Sequence, residues 1–319
     1  MFKREVHYPQ EIILEVTNRC NLKCRFCHFH GQEAVRRRAL GSMDKKIWNK
    51  VLDEISGWDK PCGVLTHGAG EPLLYSDLTA LLTRTSKIKH ISKGFMTNGM
   101  LLTEDISKKI VELQVNSIAF SIDGVNPETH DYFRRNADLK RIEKNVETLI
   151  RLKERAGSNL PLLFFNMVGY PEILNQTDEY VAKWLPHAES VMISTFRPVG
   201  SRQLWDDAVI HHPFQKCPLL YHQMVIAFNG DIGLCCEDIN LDVPLGNVME
   251  SDLISVFNKS RNIRKYRKAH ERGAIDGLKL CSDCQVWGSH MTLDHKKRDL
   301  KGLKVHEIIS PAGTLFTTY

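Results

Sequence analysis

The chain has no apolar run approaching the ~18 residues that a membrane-spanning helix requires. Its opening stretch, MFKREVHYPQ, has no apolar signal-peptide core, so no membrane and a cytoplasmic location are expected. Neither sign of charge prevails: 43 basic residues against 38 acidic ones leave +5, too little to imply nucleic acid by itself. Apolar content is not low enough for disorder, since 42% hydrophobic and 25% charged residues are ordinary for a globular protein. At 319 residues the chain admits one large or two medium domains. Cysteine, by contrast, is plentiful. Nine in a cytosolic chain point to metal or redox chemistry rather than to disulfides.

A second absence is more specific. In Glu15–His30, EVTNRCNLKCRFCHFH, the three cysteines Cys20, Cys24 and Cys27 form a C-x3-C-x2-C array with no fourth cysteine nearby. Closely packed thiolates suit iron–sulfur or zinc ligation. Three thiolates on a four-iron cluster leave one iron open, and an open position is where a metal site does chemistry. Zinc sites usually pair two C-x2-C knuckles, and ferredoxin-type carriers use the tighter C-x2-C-x2-C run. With Phe26 before the last cysteine, the array resembles the C-x3-C-x-aromatic-C motif of the radical S-adenosylmethionine (SAM) superfamily. The resemblance implies that the open iron chelates SAM, which is cleaved to a 5′-deoxyadenosyl radical that takes hydrogen from a substrate.

Six β-rich runs, near Glu11–Val16, Gly63–Thr66, Ile91–Met96, Ser117–Ile122, Leu162–Val168 and Ser190–Thr195, alternate with helical patterns. Met43–Trp58 is the clearest helix, with Ile47, Val51 and Ile55 in register and Ser42 or Asp44 as a cap. Leu139–Arg155 is another, with Ile142, Val146, Leu149 and Ile150 on one face. The alternation predicts an α/β fold of parallel strands with right-handed crossovers. Six units are too few for a closed eight-fold barrel, so a partial (β/α)6 barrel is expected, which also matches the radical SAM core. Its ligand site would lie at the carboxyl ends of the strands.

Three strand ends carry candidate residues. Thr66–Leu73 contains Gly68-Ala69-Gly70-Glu71-Pro72, where glycines admit close approach and a carboxylate can meet an ammonium group. By itself this is a common strand-ending loop. After strand two it resembles the superfamily's GGEP motif, in which Gly68, Gly70 and Glu71 would hold the SAM amino group. Met96-Thr97-Asn98-Gly99 and Ser121-Ile122-Asp123-Gly124 read as ordinary turns. They also resemble stretches of radical SAM maturases and dehydrogenases, which implies Ser121, Asp123 and Arg134 as SAM contacts, with Arg135 a substitute for Arg134. Asn166 would face the adenosyl group or the substrate, or neither. Cys62 reads as a buried filler, and Val35-Arg36-Arg37-Arg38 as a solvated turn or, at the active-site end, as a contact for an anionic substrate.

From about Gly200 the alternation stops. Gln223–Phe228 and Ile232–Cys236 flank Asn229-Gly230-Asp231, a hairpin signal. Cys217 precedes the hairpin, Cys235 ends it, and Cys281-Ser282-Asp283-Cys284 supplies a knuckle. Four thiolates of this kind suit either a fully ligated four-iron cluster or a structural zinc. The spacing resembles the twitch domain, a shortened SPASM domain with one auxiliary four-iron cluster; no further cysteine follows Cys284. It is close to that of an aminocyclitol-oxidising member, and the chain is similar also to radical SAM epimerases. The resemblance implies two 4Fe-4S clusters, one binding SAM and one auxiliary, held by Cys217, Cys235, Cys281 and Cys284. Expected domains are 1–205 (core), 206–292 (a small α+β auxiliary domain) and 293–319 (a tail). Strand alternation would point Cys236 away from Cys235, either as a buried filler or as a thiol donating hydrogen to a substrate radical. Lys259–Arg272 reads as a basic helix; lacking interleaved aromatics, it is expected on a solvated surface rather than on RNA.

The expected activity is oxidation or epimerisation of a small polyol, aminocyclitol or sugar-like molecule, with an external electron donor of flavodoxin or ferredoxin type. A peptide substrate is the alternative, although only about ten residues precede the first strand, too few for a leader-recognition domain. A non-catalytic iron–sulfur or zinc scaffold binding RNA is a third, opposed by the coincidence of the three motifs.

Overall fold

A computed structural model describes residues 7–197, 216–286, 292, 294–310 and 312–319. Two compact units separate, one of residues 1–19, 36–94 and 214–287, the other of 20–35, 95–213 and 288–319.

The first unit is built on β1 (Glu11–Leu14), whose Ile12, Ile13 and Leu14 are no more than 2% exposed. It lies parallel to β2 (Cys62–Thr66), with Ile12 opposite Val64. The crossover helix α1 (Lys45–Ser56) buries Ile47, Trp48, Val51, Leu52 and Ile55 and starts where Asp44 accepts the Lys46 N–H at 2.8 Å. Asp44, not Ser42, is therefore the cap. The helix is pinned further where Trp48 Nε1–H donates to the Tyr75 hydroxyl (3.0 Å), which donates to Met43 O (2.8 Å). α2 (Leu78–Thr85) follows β2. On its other side β1 runs parallel to β7 (Gln223–Ile226), Ile12 opposite Met224. The expected hairpin is present: β7 turns through Gly230 (φ +89°) into antiparallel β8 (Asp231–Gly233), which pairs with β9 (Gly246–Asn247). Helices α7 (Leu219–His222), α8 (Leu253–Lys259) and α9 (Arg261–Glu271) complete the unit.

β3 (Ile91–Thr97) comes next in the chain after α2, and in the second unit β4 (Ser117–Ser121), β5 (Leu162–Gly169) and β6 (Ser190–Thr195) are parallel. The connecting helices are α3 (Glu104–Glu112), α4 (Pro127–Phe133), α5 (Leu139–Arg155) and α6 (Thr177–Trp184). The expected helix over Leu139–Arg155 is α5, with its apolar face buried and Asp138 capping at Arg141 N–H (3.1 Å). Residues 293–319, expected as a tail, instead hold three strands: β10 (Asp294–Leu300), β11 (Leu303–Ser310) and β12 (Gly313–Thr318). This antiparallel meander extends the sheet because β12 pairs with β6, Leu315 opposite Met192. Arg298 anchors it with a two-pronged bond to Asp178 (3.0 and 2.5 Å). The expected boundary at 205/206 lies outside the described residues.

Candidate active site

Cys20 and Cys27 are half-buried and Cys24 is buried. Their loop already offers hydrogen bonds to sulfur: Leu22 N–H points at Cys20 Sγ (3.4 Å) and His30 N–H at Cys27 Sγ (3.2 Å). The turn behind it is tight. A Cβ on Gly31 would lie 2.6 Å from Cys27 O and 2.9 Å from Cys24 O. Burial pushes the Cys24 thiol up to about 11 despite the pull of Arg134, so a thiolate there needs a metal's charge to hold it. Among the described residues no three His, Cys, Asp or Glu side chains converge as one metal ion would need. A four-iron cube, whose thiolates sit on different irons, asks for a wider spread, so the donor set fits a cluster better than a lone zinc.

The cysteine loop is stitched to the end of α4: Lys23 N–H donates to Arg135 O (2.9 Å) and Arg25 N–H to Phe133 O (2.8 Å). Arg25 also donates from Nε to Tyr132 O (2.8 Å) and lies over the Tyr132 ring. Between these anchors Arg134 is carried to 5.1 Å from the centre of the Phe26 ring. Its guanidinium meets Asp123, Nε to Oδ2 at 2.7 Å, with 8% and 0% of the two side chains exposed. Burial opposes the Arg134 charge, but the Asp123 carboxylate, together with Cys24 and Tyr170, outweighs it and leaves the pKa raised. Tyr170 stacks on Phe133 (4.0 Å, 5°) and tilts against Phe26 (5.5 Å). Asp123 N–H donates to His130 Nδ1 (3.0 Å); burial first, then Arg134, pushes this histidine down to about 3. Ser121, Asn166 and Met192 are paired in register across β4, β5 and β6 and are all half-buried, and Ser194 Oγ–H donates to Asn166 Oδ1 (2.5 Å).

In the other unit, the turn of Gly68–Glu71 packs against the chain leaving β1. A Cβ on Gly70 would come within 2.3 Å of Thr17 O and 2.6 Å of Arg19 O, so only glycine allows this approach. Glu71 is buried, its N–H donates to Arg19 O (2.8 Å), and its carboxylate accepts Leu73 N–H (3.1 Å). Burial pushes the neighbouring His67 down to about 4. Sequence reasoning passed over the charged residue beneath this turn. Glu15 is buried and clasped by Arg38 at 2.8 Å through both oxygens, so Arg38 does not belong to a solvated turn. The signal was a glutamate ending an apolar strand, with three arginines some twenty residues on.

The same unit carries the later cysteines. Cys217 and Cys281 pack on one apolar cluster that includes Leu234, the neighbour of Cys235, together with Leu220, Ile263 and Tyr266. Cys284 N–H donates to Cys281 O (3.2 Å), closing the knuckle. The basic stretch is helical as expected, and α9 turns Ile263, Tyr266, Arg267 and His270 inward. β8 ends at Gly233, so strand alternation does not govern Cys235 and Cys236. Cys236 is exposed, which overturns the buried-filler reading.

Residues 14–185, more than half of the chain, match the radical SAM superfamily, and residues 217–285 match the SPASM iron–sulfur cluster-binding domain. Among curated relatives, the chain is 26% identical over 225 residues to a tungsten-containing aldehyde ferredoxin oxidoreductase cofactor-modifying protein of Pyrococcus furiosus; the match covers 69% of this chain and 60% of that protein. Among solved structures, BtrN in complex with AdoMet and 2-DOIA aligns with a TM-score of 0.60 at 18% identity, over 88% of this chain and 94% of that one. SuiB of Streptococcus suis bound to the precursor peptide SuiA aligns with a TM-score of 0.63 at 15% identity, over 82% and 67%. At such identities the likeness is one of fold, and it bears out the mixed α/β partial barrel followed by a SPASM-type domain. The chain thus belongs to the radical SAM superfamily and carries a SPASM iron–sulfur domain on its carboxyl-terminal side.

Proposed function

We propose that this radical SAM enzyme removes a hydrogen atom from a small polyol, aminocyclitol or sugar-like substrate and oxidises or inverts the carbon. The observation that carries the reading is the stitching of the cysteine loop to α4, which sets the Arg134 cation over Phe26 beside the three-cysteine array. When bound there, a four-iron cluster and SAM supply the 5′-deoxyadenosyl radical. Cys20, Cys24 and Cys27 would hold the cluster. Gly68, Gly70 and Glu71 would take the SAM ammonium, while Arg134, kept in place by Asp123, would face its carboxylate and Ser121 its ribose. Cys217, Cys235, Cys281 and Cys284 would hold an auxiliary cluster able to accept the electron released as a substrate radical becomes a carbonyl. For inversion, the exposed Cys236 thiol would return a hydrogen atom instead. The small-molecule reading is supported by the near full-length likeness to BtrN, seen with 2-DOIA. A peptide substrate is the second reading, favoured by the likeness to SuiB with its precursor.

Anaerobic reconstitution should give about eight irons per chain, and reductant plus SAM should release 5′-deoxyadenosine. Stoichiometric zinc without SAM cleavage would sink the proposal. With the substrate in D2O, deuterium fixed at an inverted carbon and lost in Cys236→Ala marks epimerisation; a carbonyl product without deuterium marks oxidation. A flavodoxin or ferredoxin is the expected electron donor.

A further inference from the structure

Within the first unit, one ion pair, of the buried Glu15 and the half-buried Arg38, touches two loops that the proposed function uses for different ligands. Glu15 Oε2 accepts Ala69 N–H (3.2 Å), inside the Gly68–Glu71 turn. Gly68 has φ +151°, and a Cβ there would lie 2.9 Å from Glu15 Cβ and Cγ, so the turn rests directly on this side chain. Arg38 grips both Glu15 oxygens and donates its remaining edge, Nε, to Ile239 O (2.7 Å). Ile239 belongs to the turn that follows Cys235. There Asp238 N–H donates to Cys235 O (3.0 Å), and the Asp238 carboxylate collects the N–H groups of Leu234 (3.3 Å), Asp242 (2.6 Å) and Val243 (3.0 Å). Next along the chain, Arg37 N–H donates to Asn240 Oδ1 (2.8 Å). The guanidinium fork is rigid and planar, so a shift of either loop is felt by the other.

We propose that Glu15 and Arg38 are a positioning pair that joins the SAM-ammonium turn to the auxiliary-cluster loop. SAM affinity and the surroundings of the auxiliary cluster then depend on one another. The inference rests on the proposed roles of residues 68–71 and Cys235. Energetic coupling of this kind is reciprocal: if the pair transmits SAM binding to the cluster loop, the state of that loop feeds back on SAM.

The test uses the reconstituted full-length chain, SAM titrations, and EPR spectra of the reduced auxiliary cluster with and without SAM. Arg38→Lys keeps the charge but loses the fork; Glu15→Gln keeps an acceptor for Ala69 but loses the charge. Each should raise the SAM Kd about tenfold at unchanged iron content. The double variant should stay within about twofold of the worse single one, since both act through one contact. The SAM-induced change in the auxiliary spectrum should disappear in both. Arg37→Ala, which removes an exposed pairing with Asp242, should leave the SAM Kd as it was. Unaltered SAM binding in Arg38→Lys and Glu15→Gln overturns the pairing. A wild-type chain that takes up iron but binds no SAM overturns instead the reading of the turn. Should either variant fail to fold, amide exchange on the wild-type chain decides. Slow exchange at Ala69 without SAM supports the clasp, and exchange at the rate of an open loop overturns it.

Discussion

The Arg134 guanidinium lies against the Asp123 carboxylate, Nε to Oδ2 at 2.7 Å, with both side chains almost wholly buried. Asp123 is thereby spoken for twice, because its Oδ1 also accepts Val168 N–H from β5 at 2.8 Å. An arginine so held keeps its charge and its direction, as a group facing an anion must.

Removing the Asp123 charge strands that cation. Asp123→Asn preserves an acceptor for Val168 N–H but leaves Arg134 without a counter-ion in a dry site. Urea unfolding should show a loss of about 3–5 kcal/mol. A loss under about 1 kcal/mol would mean that water reaches the pair after all.

His130 sets an acid limit. Its native pKa is near 3 while the unfolded value is near 6.5. Between these values the unfolded chain binds a proton that the folded chain refuses, so stability falls as pH drops through that window. His130→Gln should remove about one proton from the slope of stability against pH between pH 4 and 6. An unchanged slope would show that this histidine does not contribute.

Gly70→Ala places a methyl group 2.3 Å from Thr17 O, a backbone atom that cannot swing aside. The turn must move, and SAM affinity should fall at least about tenfold, the loss of one charged hydrogen bond. Ala69→Gly keeps its N–H for Glu15 and should bind SAM within about threefold of wild type. Equal affinities for the two variants would contradict the close approach.

Cys62 opens β2 with 2% of its surface exposed, and burial pushes its thiol up to about 12. Such a thiol is inert. Cys62→Ala should keep the full iron content after reconstitution, while Cys24→Ser should lose the iron of one cluster. The check is iron per chain alongside EPR.

The parallel strands were legible because each is an apolar run bounded by turn residues, and α5 because its apolar positions repeat on one face. The last three strands were not. β10 reads DHKKRDL, with nothing apolar before Leu300; it is a strand because β11 supplies hydrogen bonds, and backbone pairing leaves no mark in side-chain pattern. The face of Asn166 was equally hidden until the register of β4, β5 and β6 set it level with Ser121.

The sequence alone determined the chemistry's first requirement: three cysteines with no fourth, an aromatic before the last, and glycines with a glutamate after the second strand. Those features are local, and spacing along the chain suffices to recognise them. Tertiary structure alone decided that Arg38 is half-buried against the buried Glu15 while Cys236 lies exposed. A charge is stable inside only beside its partner, and Glu15 stands 23 residues from Arg38. No local pattern could have brought the two together.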